Sequence, residues 1–154
     1  MKSNSNASAK RQHGFSLVEV LIALVIMSVG MLGIAGLYVQ SMQAGRTSMF
    51  RHHAVTLAGD VADRIRANPR AGVAYAGAGA DNNCVLGGVD CNEAAMAAND
   101  IFLWAQQAVD SLPNGAVAVV FDDTVVPPTY AITVSWDEPG ENLGYTITIP
   151  VRGL

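Results

Sequence analysis

The chain has 154 residues, about half of them hydrophobic, and a formal net charge of −4. Three of its basic residues, Lys2, Lys10 and Arg11, precede residue 14, so residues 15–154 hold six basic against thirteen acidic side chains. Because a phosphate backbone requires a basic surface, this balance argues against direct nucleic-acid binding. The length allows one modest domain beside an apolar N-terminal segment.

The N-terminal region joins a short polar leader to a long apolar run. Gly14 and Phe15 form the junction, and Glu19 is the only charged residue from Phe15 to Val39. As a helix this run would span about 37 Å, enough to cross a hydrocarbon core of about 30 Å. Residues 15–39 are therefore predicted to span a membrane, with the basic leader on the cytoplasmic side. A carboxylate at membrane depth is costly, so Glu19 is expected to have a function and a charged partner.

Three other interpretations of this region are weaker. A secretory signal is cleaved after its apolar stretch, whereas Gly14 precedes it. A plain single-span anchor gives no reason for Glu19. A buried core helix does not need such an unbroken apolar run.

The helix is predicted to continue through residues 40–68 as an amphipathic segment that ends at Asn68-Pro69. Its predicted buried face consists of Phe50, Ala54, Leu57, Ala58, Val61 and Ile65. Within the apolar run, Gly30, Gly33 and Gly36 have two explanations. They let another membrane helix approach closely, or they mark a weak segment of the helix.

Residues 69–154 are predicted to form a head. Its first part, residues 71–90, is rich in Gly, Ala and Asn and predicts a loop. A second helix is expected from Glu93 to about Ser111, with Asn92 as its N-cap. Its predicted buried face is Ala97, Ile101, Trp104, Ala105, Ala108 and Leu112.

The C-terminal part predicts an antiparallel β-meander that packs on the long helix, and thus an α+β fold. A strand is expected over residues 116–121, followed by a turn at Asp122-Asp123. Residues 125–128 predict an edge segment, because paired prolines cannot lie inside a ladder. Apolar and polar residues alternate over residues 130–136 and again over 145–151, with a turn at 137–140.

Cys84 and Cys91 are the only cysteines. Their spacing is not that of a C-x-x-C redox or zinc pair. Beyond the predicted span they would face an oxidising compartment, where a disulfide persists. Such a bridge would contribute about 2–3 kcal/mol through loop entropy, and two free thiols are the less favoured alternative.

No pattern indicates catalysis or metal binding. His52 and His53 are adjacent, so they point to different sides of a helix and do not converge on a metal. The Asp122-Asp123 turn and the turn containing Asp137, Glu138 and Glu141 lack the ligand density of a calcium loop. We predict no enzymatic activity, no cofactor and no metal.

The arrangement of Lys10-Arg11, Gly14-Phe15 and Glu19 before the apolar run resembles the class III signal of type IV prepilins and of type II secretion pseudopilins. The resemblance implies that a prepilin peptidase removes residues 1–14 and that the new N-terminal Phe15 is methylated. It also implies that Glu19 meets the N-terminal amine of a neighbouring subunit. The order of long helix, loop and sheet is similar to the type IV pilin fold.

Within that superfamily, the head resembles the PilV minor pilins in four features: Cys84, Cys91, the helix with Asp100 and Trp104, and the turn at residues 112–115. The resemblance implies a minor pilin that helps prime type IV pilus assembly near the tip and supports adhesion and twitching motility. The implied partners are other minor pilins, the major pilin, the inner-membrane assembly machinery and a PilY-type tip protein. The implied location is the inner membrane before assembly and the surface pilus afterwards. The alternatives are a minor pseudopilin of type II secretion and a membrane-anchored periplasmic binding module.

Overall fold

The computed structural model describes residues 14–85 and 89–151. The chain divides into two compact units, one ending at Gln43 and the other beginning at Ala44. Of the predicted leader, residues 1–14, all but Gly14 lies outside the described residues.

Helix α1 spans Leu17–Ala67. In the second unit it buries the predicted face and also Ala62, while Phe50 is only half-buried. The helix stops where the sequence predicts, because Asn68 precedes a proline and its N–H already donates to the carbonyls of Arg64 and Ile65, at 3.2 Å each. The amphipathic pattern is therefore confirmed in this part of the helix.

The segment after α1 corrects one prediction. Residues 71–90 were expected to be loop, but Pro69–Ala76 forms 3-10 turns that bury Ala71 and Tyr75. Tyr75 is 1% exposed and stacks on Trp104, with ring centroids 5.7 Å apart. The composition of the segment hides this element, because one aromatic anchor among small residues produces no periodicity.

Helix α2 spans Glu93–Ser111, as predicted, and the Asn92 side chain accepts a hydrogen bond from the backbone N–H of Ala95 at 2.8 Å. Most of its predicted apolar face is buried, but Ala105 is exposed and Ile101 is half-buried. The helix lies against the 3-10 segment and the first strand. It therefore buries a narrower apolar face than the periodicity suggested.

Three antiparallel strands follow in the order β1-β2-β3: β1 (Ala116–Asp122), β2 (Thr129–Glu138) and β3 (Glu141–Pro150). Residues 125–128 were predicted to form an edge segment, but they belong to the connection between β1 and β2. The predicted turn at 137–140 is also too long, because Glu138 pairs with Glu141 and only Pro139-Gly140 lies between the strands. Strand β3 accordingly begins four residues earlier than the alternation indicated.

The sheet has one apolar face. Tyr130, Ile132, Val134 and Trp136 of β2 are all buried, which confirms the predicted alternation. Their neighbours on β1 and β3 continue the same face in register, for example Val119 and Ile147 beside Ile132. This face forms one core with α2 and with the buried residues of α1. The α+β fold with a C-terminal antiparallel meander is therefore confirmed.

Candidate functional site

The start of α1 presents the predicted processing residues outside the helix. Gly14, Phe15 and Ser16 are not helical, and the Phe15 side chain is 85% exposed. The Ser16 carbonyl accepts hydrogen bonds from the N–H groups of Glu19 and Val20, at 3.1 and 3.3 Å. Ser16 thus closes the first turn through its backbone, and the Gly14–Phe15 peptide lies before the ordered helix.

Glu19 lies in the first turn of α1. A negative charge is favourable there, because the unpaired N–H groups of the first turn give the helix end a partial positive charge. In the direction of the C-terminus, the first basic residue after Glu19 is Arg46, about seven helical turns away from it. Among the described residues, α1 therefore offers Glu19 no basic partner within reach.

The apolar part of α1 is exposed along its whole length. Its large side chains, from Leu17 to Met42, are each at least 49% exposed. The helix is long and apolar enough to cross a membrane, and the most apolar window is not buried in the protein. The one hydroxyl in its middle, Ser28, donates to the Leu24 carbonyl at 2.7 Å, so it needs no external acceptor.

Small residues interrupt this surface. A Cβ added at Gly30, Gly33 or Gly36 would meet nothing within 4 Å. The backbone is thus accessible on successive turns, which is the geometry that lets a second helix approach closely. The helix is continuous through these residues, and each glycine costs about 1 kcal/mol of helix stability relative to alanine, so both explanations of the glycines stand.

The head contains a buried carboxylate, that of Asp100, which the sequence analysis did not place in the core. Asp100 on α2 is 3% exposed. It accepts hydrogen bonds from the Arg64 guanidinium of α1 at 2.9 Å and from the Tyr75 hydroxyl at 3.1 Å. Asp60, one turn before Arg64 on α1, also pairs with it at 3.5 Å, but this pair is more exposed. Asp100 therefore joins α1, the 3-10 segment and α2.

Tyr75 completes this network. Its hydroxyl also lies 3.3 Å from the Asn68 amide and 3.4 Å from the Arg64 carbonyl. Burial, with a smaller contribution from the negative charge of Asp100, raises the pKa of Tyr75 to about 12. The phenol thus stays protonated and donates to the carboxylate.

The Cys84–Cys91 disulfide is formed, with the two Cα atoms 5.8 Å apart. A second buried polar residue, Asn99, holds the loop beside it against α2. The Asn99 side-chain oxygen accepts from the backbone N–H groups of Asn82 at 3.1 Å and Cys84 at 3.3 Å. Because Asn99 adjoins Asp100, one turn of α2 carries the polar contacts of both the 3-10 segment and the disulfide loop.

The carboxylates of Asp137 and Glu138, near the β2–β3 turn, accept hydrogen bonds from donors of the protein itself. Glu138 accepts from the Thr47 hydroxyl of α1 at 2.5 Å and from the Trp136 indole at 3.1 Å, and these hydrogen bonds, the first above all, lower its pKa. Asn142 and Asn114 lower the pKa of Asp137 in the same way. In the described ranges no three metal-ligating side chains converge. His52 and His53 lie on the helix surface with ring centroids 6.4 Å apart.

Asn99, Asp100 and Tyr75 were missed as core by sequence reasoning. The available signal was an Asn-Asp pair within residues 94–105, which are otherwise apolar, at positions that a continuous periodic pattern would bury. Buried polar side chains require hydrogen-bond partners. The partners of Asp100 lie 36 and 25 residues away along the chain, on α1 and the 3-10 segment, and those of Asn99 lie 17 and 15 residues away, in the disulfide loop. The local sequence does not indicate these contacts.

Comparison with known families gives two adjacent matches. Residues 9–35 match the prokaryotic N-terminal methylation motif, and residues 36–102 match the type IV pilin Tt1218 family. No curated protein and no solved structure matches the chain.

The two matches coincide with the exposed apolar helix and with its continuation into the head. A methylation motif followed at once by such a helix anchors a subunit in the inner membrane before assembly. The matched families consist of structural subunits that assemble with other pilins, not of enzymes. From the two adjoining motifs and the α+β architecture, we conclude that the chain belongs to the type IV pilin superfamily.

Proposed function

We propose that this pilin is a minor subunit that helps to prime a type IV pilus and lies near its tip. The observation that carries the proposal is the N-terminal arrangement. An accessible Gly14–Phe15 peptide is followed by Glu19 in the first turn of a helix whose apolar surface is exposed. Such a surface is suited first to lipid and then to neighbouring helices.

In the proposed processing step, a prepilin peptidase cleaves between Gly14 and Phe15 and the new amine is methylated. Methylation leaves the amine cationic, so Phe15 keeps a positive charge for the carboxylate of Glu19 on a neighbouring subunit. Each charge alone is costly in a low-dielectric environment, and pairing reduces that cost. Glu19 thereby favours assembly in one axial register.

The proposed division of the mature chain follows from these surfaces. Residues 15–39 act as the membrane and assembly half of the helix, residues 40–68 as its amphipathic half, and residues 69–154 as the head. The minor role is supported by features similar to PilV proteins, namely the Cys84–Cys91 loop and the α2 helix with Asp100 and Trp104. A subunit with Glu19 can pack beneath another subunit, whereas a strict end cap does not need this residue.

The partners in this proposal are the major pilin, other minor pilins, the inner-membrane assembly machinery and a PilY-type tip protein. The resulting pili would support adhesion and twitching motility. The acidic head makes direct nucleic-acid binding by this subunit unfavourable, because residues 71–151 contain ten acidic and no basic side chains.

Processing is tested by the intact mass of the full chain purified from membranes, compared with Gly14→Ala. We expect the wild-type chain to lack residues 1–14 and to carry one added methyl group. The Gly14→Ala chain should keep its full-length mass. An unprocessed wild-type mass in cells with an active prepilin peptidase would refute the prepilin assignment.

The minor-pilin role is tested with a deletion strain complemented by wild-type or Glu19→Ala protein. We expect few surface pili and no twitching in the deletion, with rescue by the wild type only. Glu19→Gln is the matched control for side-chain size, and it should also fail because it lacks the charge. Normal piliation with a defect in protein secretion would instead identify a pseudopilin.

A further inference from the structure

Strand β3 has a free edge. It is the last strand in the order β1-β2-β3, and the described residues supply no strand beyond it. Just past its end, the Val151 N–H donates to the Pro128 carbonyl at 2.8 Å, on the β2 side. Because backbone direction alternates along a strand, the N–H groups of Gly144, Thr146 and Thr148 point away from β2.

This edge lacks the usual protection against pairing. Between Asn142 and Pro150 there is no charged side chain, and the one proline lies at the end. Exposed edges of this length are normally blocked by lysine, proline or a bulge. Strand β3 instead offers a row of free donors and acceptors to an extended chain.

Two cavities adjoin this edge on the side of α1. The first, about 370 Å³, is lined by Arg51 and Val55 of α1 and by Trp136 and residues 143–145. The second, about 260 Å³, is lined by Ile65, Arg66 and Pro69, by Tyr130 of β2, and by residues 149–151. Leu143 and Ile149 are six residues apart, so the cavities are about 20 Å apart along the strand. A strand beside β3 would therefore place side chains i and i+6 over the two cavities.

Gly59 lies between the cavities on α1. It follows Val55 by four residues and precedes Arg66 by seven, so the three share one flank of the helix. A Cβ at Gly59 would meet nothing within 4 Å. The glycine costs about 1 kcal/mol of helix stability relative to alanine, and it leaves a notch into which a neighbouring strand fits.

We propose that the edge of β3 and this flank of α1 bind an extended segment of a different protein as a fourth strand. The segment carries apolar side chains six residues apart and a basic residue at the end near Glu141. Arg46 and Arg51 of α1 already act on Glu138 at the β2–β3 turn, whereas Glu141 is exposed at the start of the edge strand, so a cation beside Glu141 is complementary. The inference concerns the sheet and the part of α1 that packs on it, and it does not depend on the minor-pilin role.

A second copy of this chain is a poor occupant. Pairing two β3 edges across a two-fold axis would make the two α1 helices antiparallel, although both helices begin with the apolar segment that enters the same membrane.

The test uses the full chain in cells that assemble the pilus, with a photo-cross-linking amino acid in place of Thr148. The matched position is Val120, which is 59% exposed on β1. We expect an adduct from position 148 only, and peptide mapping should place its other end in an extended, apolar segment of another protein with a flanking basic residue. No adduct at 148, equal adducts at both positions, or an adduct with a second copy or a helical segment would overturn the proposal.

Two pairs of variants identify the binding mode. Thr146→Pro removes an outward N–H, whereas Thr146→Ala keeps it and loses the same hydroxyl contact with Thr133. Gly59→Leu fills the notch, whereas Gly45→Leu adds the same side chain at another open position of α1. We expect at least a tenfold loss of the adduct with Thr146→Pro and with Gly59→Leu, and little loss with the controls. Because Gly59→Leu does not alter the strand, an undiminished adduct with this variant overturns the proposal even if Thr146→Pro misfolds.

Discussion

Replacing Asp100 by alanine should destabilise the head more than any exposed acidic substitution. The carboxylate is 3% exposed and accepts two hydrogen bonds, from Arg64 at 2.9 Å and Tyr75 at 3.1 Å. A hydrogen bond that involves a charged group contributes about 1.5–3 kcal/mol. Loss of a buried partner can cost more, but Arg64 is 41% exposed, so water can solvate it after the substitution. We therefore expect a loss of about 2–3 kcal/mol in the free energy of unfolding.

The assay is denaturant unfolding of the full chain in detergent, followed by tryptophan fluorescence. Both tryptophans, Trp104 and Trp136, are buried in the head, so their signal reports its unfolding. Asp110→Ala is the matched control on the exposed side of α2, with an expected change within about 0.5 kcal/mol. Arg64→Ala, combined with Asp100→Ala, gives the coupling energy of the pair. Equal losses for the substitutions at 100 and 110, or a coupling energy of zero, would refute the assigned role of the buried carboxylate.

Three further predictions concern the head. The pKa of Tyr75 is about 12 in the folded protein and near 10 in the unfolded chain. Its protonated hydroxyl therefore contributes fully to the free energy of unfolding below pH 10, and this contribution is lost as the pH rises to 12. Tyr75→Phe should flatten this part of the stability–pH curve. The double variant Cys84→Ser, Cys91→Ser should lower the free energy of unfolding by about 2.5 kcal/mol in the same assay. Reductant should destabilise the wild type but not the double variant. A similar loss of stability in both on reduction would contradict this prediction. Gly115→Ala should lower the melting temperature sharply, because the added Cβ would collide with the Ala108 carbonyl in the last turn of α2. Gly144→Ala is the control, since its Cβ has room and should change the melting temperature little. Similar shifts for both variants would show that the close approach at Gly115 is unimportant.

Several elements could be predicted because their signals are local. The apolar run requires a long helix, since only a helix satisfies its backbone groups in lipid. Asn92 caps α2 through an amide three residues away, and the alternation around Ile132 and Val134 places one face of β2 in the core. The N-terminal motif is also local, since Gly14, Phe15 and Glu19 lie within six residues of one another.

Other features depend on contacts between distant segments, so no local pattern predicts them. Tyr75 becomes a core residue because Trp104 and Asp100 of α2 receive its ring and hydroxyl. The start of β3 at Glu141 depends on its pairing with β2, which extends the ladder beyond the alternating residues. The free edge of β3, with cavities on both sides of Gly59, exists only where α1 and the sheet lie side by side. Local patterns are therefore enough to predict the membrane helix, the cap and the strand faces, whereas the burial of polar groups and the exposure of a strand edge follow from which segments the fold brings together.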